Sequence, residues 1–157
     1  MKVKYIFYLM IILIMSSCGA KNKEVKHPEV GAWQLFYSKY VRADTIVFEI
    51  LGDVTGTDVK VWSGKYFISV GRFKEDTTYV DNYVGGSYTL NGNNYEEHIQ
   101  YHVNKKYVGK TVKMIMEFKG DTLIQTWPVD KNGQIDSKNY VREKYVKIKT
   151  KFQRPQI

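Results

Sequence analysis

The chain has 157 residues, a formal net charge of +8, 43% hydrophobic and 15% aromatic residues, and one cysteine. That length makes one domain with a real core but not two, and a lone cysteine excludes an intrachain disulfide. A basic balance suits nucleic acid, but an exported protein rarely meets any, so no nucleic-acid partner is expected and the charge is read as favouring anionic lipid headgroups or simply keeping the domain soluble.

Met1-Lys2-Val3-Lys4 opens the chain with positive charge, and an apolar run follows from Tyr5 to Met15. A bilayer-spanning helix needs about 20 apolar residues, so the run reads as a signal segment and not as a permanent span. Met15-Ser16-Ser17-Cys18-Gly19 resembles the bacterial lipobox, in which small residues precede a cysteine that receives a diacylglyceryl group. The resemblance implies a lipoprotein signal peptide over residues 1–17 and a lipid on Cys18, which uses up the sole thiol and holds the protein at a membrane. Residues 18–29 are rich in lysine and lack apolar periodicity, so they are expected to be a lipidated N-terminus and flexible tether. Gly19 is not the aspartate that retains lipoproteins at the inner membrane, and Lys21 to Lys26 lacks an acidic export run. The expected location is therefore the cell envelope, at the periplasmic face of the outer membrane.

From residue 30 to 157 the chain turns to short runs rich in Val, Ile, Thr, Tyr and Phe, separated by glycine and asparagine turns. Strands are predicted at Ala32–Tyr40, Asp58–Trp62, Tyr66–Phe73, Ser87–Leu90, Tyr95–Val103, Thr111–Phe118, Thr122–Pro128 and Tyr140–Lys149, with Thr45–Leu51 as a further candidate. Ser63-Gly64, Asn91-Gly92, Gly120-Asp121 and Asn132-Gly133 supply residues that tolerate positive φ in tight hairpins. No segment keeps a helical period. The expected fold class is all-β: an antiparallel up-and-down β-barrel of about eight strands.

Alternation then assigns faces. Val112, Met114, Met116 and Phe118 point inward from their strand, as do Trp33, Leu35 and Tyr37, Val59 and Val61, and Leu123, Gln125 and Trp127 from theirs. Tyr66–Phe73 is apolar on both sides and has no assigned facing.

Gly31-Ala32-Trp33 resembles the glycine-any-tryptophan signature of lipocalins, in which the tryptophan plugs one end of the barrel. Gly85-Gly86-Ser87-Tyr88-Thr89-Leu90-Asn91-Gly92, Tyr95-Glu96-Glu97-His98-Ile99, Gly109-Lys110-Thr111-Val112 and Gly120-Asp121-Thr122-Leu123 resemble, in order, a lipocalin-like domain family of unknown function common in bacterial lipoproteins. The resemblance implies a calycin-type barrel and no particular activity. In lipocalins a basic residue on the last strand covers the signature tryptophan. Glu143-Lys144-Tyr145-Val146-Lys147 resembles that ending and implies Lys147 as the cover of Trp33, with Arg142, of opposite parity, as the competitor.

No nucleophile motif is present, and Gly85-Gly86 precedes a strand and not the helix that phosphate binding needs; those glycines read as a bend or bulge. His98 and His102 share a predicted face but stand roughly 13 Å apart in a strand, too far to chelate one ion. No enzyme, metal or cofactor is therefore expected. Glu97 falls on the apolar face with Ile99, Tyr101 and Val103. Either a lysine or arginine of the last strand pairs with it, or a bulge breaks the parity, or it lies in a partly wet cavity and orients a ligand. The expected site is a lumen that binds a small, largely apolar ligand, with Tyr95, Tyr101, Met114, Met116, Phe118 and Leu123 as its wall and Glu97 and Gln125 as its polar contacts. The alternative is a filled barrel that serves as a protein-binding or structural module with an envelope protein partner.

Overall fold

The computed structural model describes residues 27–149; the signal segment, Cys18 and most of the tether lie outside the described residues. Nine strands form one antiparallel sheet: β1 (Gly31–Arg42), β2 (Thr45–Leu51), β3 (Gly56–Trp62), β4 (Tyr66–Glu75), β5 (Thr78–Asn91), β6 (Asn94–His102), β7 (Thr111–Lys119), β8 (Thr122–Trp127) and β9 (Tyr140–Lys147). From β3 to β9 each strand pairs with the next, the start of β1 pairs with β3, and β1 meets β9 from Trp33↔Lys147 to Val41↔Tyr140. Eight strands thus close an up-and-down barrel. The extra strand, β2, pairs with the second half of β1 and continues into β3 through one helical turn, Gly52–Thr55.

The hairpins sit where turn residues relieve the backbone, as at Gly92 (φ 58°) and Gly120 (φ 59°). One hairpin escaped the sequence reading: β4 and β5 are joined at Glu75↔Thr78, so the strand expected at Ser87 begins at Thr78. Its turn uses Asp76 at φ 52°, a residue that tolerates the left-handed region without a glycine to mark it.

Besides an extra residue in β2 at Val47, two irregularities reset the alternation. In β1, Leu35 pairs with Tyr145 and Tyr37 with Lys144, which leaves Phe36 as an extra residue. Beyond it Ser38 is buried, while Tyr37, expected inside, reaches out to Glu49. In β6, Gly85 faces Tyr101 and Gly86 faces Ile99, so Gln100 is extra. A side chain on Gly86 would collide with the His98 carbonyl, which is why the bulge needs a glycine there. The core inside the barrel is Trp33, Leu35, Trp62, Phe67, Tyr95, Met116, Leu123 and Tyr145, with Met114 and Ile50 above them.

Candidate functional site

One end of the barrel is stoppered by Trp33. Its Nε1 donates to the Glu29 carbonyl at 2.7 Å, Phe118 packs against it at 6.1 Å between ring centroids, and Lys147 Nζ lies 5.1 Å from its centroid. Lys147 also donates to the Pro28 carbonyl at 3.3 Å. Arg142 lies elsewhere, donating to Thr126 at 3.2 Å and stacking over Tyr140. Glu29, counted with the tether in the sequence, is wholly buried here and accepts from the Tyr88 hydroxyl at 3.0 Å. Burial and that carboxylate together push the Tyr88 hydroxyl well up.

Above the plug lies a packed middle layer. Trp62 Nε1 donates to the Tyr95 hydroxyl at 2.8 Å, which donates to Glu97 Oε1 at 3.0 Å. Trp62 meets Tyr95 and Tyr145 edge-on, and Met116 and Leu123 fill the remaining space.

The middle layer carries a floor of titratable side chains. Lys60, 3% exposed, sits 2.5 Å from Glu97 Oε1 and 3.0 Å from Gln125 Oε1, between the rings of Trp62 and Phe67 at 5.2 Å each. Burial works against its ammonium, yet Glu97, Glu143 and Asp58 outweigh that and hold its pKa above the ordinary lysine value. Asp58 accepts from Ser69 through Oδ2, while its buried Oδ1 has no partner. Burial raises the Asp58 pKa, with Ser69 and Lys60 opposing. Glu143 accepts from the Tyr145 hydroxyl at 3.1 Å, and burial, opposed by Lys60, pushes it up to about 7.

Beyond this floor the side chains draw apart. A cavity of about 330 Å³ has Asp58, Lys60, Ser69, Glu97 and Glu143 at its base and Leu35, Phe73, Ile99, Met114 and Trp127 among its walls. It widens into a mouth of about 580 Å³, with Ile50, Phe73, Asn82, Tyr107, Trp127 and Glu143 lining both. Trp127 Nε1 is buried without a partner. The result is a cup with apolar walls, a few unsatisfied polar atoms and excess carboxylate at its base.

Of the residues expected to line a ligand site, Glu97 and Met114 line the cup. Gln125 lies beneath it, holding Lys60, and Tyr95, Met116 and Leu123 belong to the packed layer. Phe118 packs on the plug. Tyr101 is a correction: the bulge at Gln100 turns it outward, where it is 69% exposed. The same bulge brings His102 inward against Tyr107, stacked at 4.7 Å, whereas His98 stays outside on Thr111. Burial lowers the His102 pKa.

The largest correction is β3. Val59 and Val61, expected inside, face water at 37% and 36% exposure, and Asp58, Lys60 and Trp62 face in. Asp58, Lys60 and Glu143 were therefore not anticipated as site residues. The signal for Asp58 and Lys60 was Trp62, whose parity with them marks that face as the buried one, and for Glu143 it was its parity with Tyr145. The partner of Glu97 is a lysine, though from β3 and not from the last strand. Among the described residues no three His, Cys, Asp or Glu side chains converge to hold a metal ion. Compared with protein-family models and with curated proteins, the chain finds no match in either.

Proposed function

We propose that the protein is a lipid-anchored carrier of the cell envelope that holds a small ligand, largely apolar, in the cup of a lipocalin-like barrel. The observation that carries this reading is a barrel stoppered at one end by Trp33 and open at the other onto the incompletely satisfied Asp58 and Trp127. Small-molecule sites share this design: concave, mostly apolar walls with a few convergent polar groups. The lipocalin-like reading is supported by the stacking of Lys147 over Trp33 and the closure of β1 on β9. The membrane placement is supported by the lipobox-like residues before Cys18. Phenylnaphthylamine, an apolar dye that brightens when shielded from water, tests the carrier. The protein should enhance its fluorescence, and Met114→Trp, which fills the cavity wall, should abolish that while keeping a cooperative unfolding transition. A wild-type protein that leaves the dye dark would sink the carrier reading.

A second reading, an envelope protein-binding module, is favoured by the outer face of β3 to β6. Val59, Val61, Ile68, Val70, Tyr83 and Tyr101 are all exposed there, and the pairs Val61↔Ile68 and Val70↔Tyr83 make them neighbours. Under this reading Ile68→Lys removes a cross-linked partner from intact envelopes and leaves dye binding untouched.

A further inference from the structure

The base of the cup holds more acid than base, and its one ammonium is already engaged. We infer that the ligand carries a protonated amine, seated against Asp58 and Glu143 with its apolar body directed toward the mouth. This names the ligand class and rests on the carrier reading above.

Three carboxylates, Asp58, Glu97 and Glu143, line the cup with Lys60. Lys60 is committed to Glu97 at 2.5 Å and Gln125 at 3.0 Å. Among the described residues, no cation is in ion-pair contact with Asp58 or Glu143. Asp58 lines the cup and is 7% exposed; Ser69 satisfies its Oδ2, and its Oδ1 is buried with no donor. A buried carboxylate oxygen is costly until a donor reaches it, and a charged donor meets both the hydrogen bond and the charge. A carboxylate or phosphate head would instead face like charge. Phe73, Tyr107 and Trp127 near the mouth suit a cation on its way in and an apolar body at rest.

Glu143 adds a proton linkage. It is faced by Asp58 and Lys60 of β3, Glu97 of β6 and Tyr145 of β9, with Ser38 of β1 and Gln125 of β8 beside it and His102 and Tyr107 across the cup. Burial holds its pKa at about 7, so an arriving ammonium favours loss of that proton. Amine affinity should then rise from about pH 6 to about pH 8, a range in which an aliphatic amine stays protonated.

The experiment uses octylamine, octanol and octanoate, which share one apolar chain, to displace phenylnaphthylamine from the purified protein. Octylamine should bind about tenfold more tightly than octanol, octanoate most weakly, and only octylamine should strengthen with pH. Asp58→Asn should erase the advantage of the amine and leave octanol binding unchanged. Glu143→Gln, a milder change further from the core, should narrow the same gap and flatten the pH profile. Equal binding of octylamine and octanol, or preference for octanoate, overturns the amine while the carrier stands. Failure of phenylnaphthylamine itself to bind removes the carrier, and the inference with it.

Discussion

Burial, with Asp58 and Glu97 nearby and Lys60 opposing, lifts the Glu143 carboxyl from 4.5 to about 7. Between those values the folded chain keeps a proton that the unfolded chain has released. Stability therefore falls as pH rises through that window and levels off above it. Glu143→Gln cannot ionise, and its urea-unfolding midpoint should stay flatter than the wild type over the same window; matching slopes would show that Glu143 does not hold the proton. At the other end, Trp33 contributes through volume more than through charge. Trp33→Ala should cost about 3–5 kcal/mol, whereas Lys147→Ala, which removes a cation over the ring, should cost about 0.5–2 kcal/mol. An unchanged midpoint for Trp33→Ala would show that this residue is not the stopper.

At the scale of elements, two bulges decide which side chains reach the cavity. The extra residue in β6 turns Tyr101 out and His102 in, and it depends on Gly86 having no side chain against the His98 carbonyl. Gly86→Ala should cost about 1–3 kcal/mol, as overpacking does, and should also weaken dye binding because His102 and Tyr107 lose their place on the cup wall. Normal stability and binding in this variant would mean that the bulge can relax elsewhere. The strands themselves were legible, because alternation and asparagine-glycine turns report directly on hairpins: β7 and β8 fall within a residue of their expected bounds. Gly85-Gly86 was likewise readable as a bend or bulge, but the residue it displaces was not, since an inserted residue changes parity without changing composition. β3 failed for a different reason. Reading Asp58-Val59-Lys60-Val61 with the valines inward assumes that charge seeks water, and a floor of paired charges inverts that assumption. Tyr66–Phe73, apolar on both sides, gained its facing from the barrel alone: Phe67 and Ser69 point in, Ile68 and Val70 out.

For the whole molecule, closure of β1 on β9 completes the ring of strands around the cavity. If Cys18 is acylated, Cys18→Ala should move the protein from the membrane fraction to the soluble one and abolish fatty-acid labelling; a processed Cys18→Ala protein still in the membrane fraction would refute the anchor. That attachment would bear on orientation. The chain enters the fold beneath Trp33, where Lys147 and Tyr88 clasp Pro28 and Glu29, at the end opposite the cup. From Cys18 to Glu29 the backbone can span at most about 40 Å, and any pull from the bilayer would fall on the stoppered pole. The mouth would then hang toward the aqueous side, so cargo would arrive by diffusion through water and not by sliding out of the host leaflet.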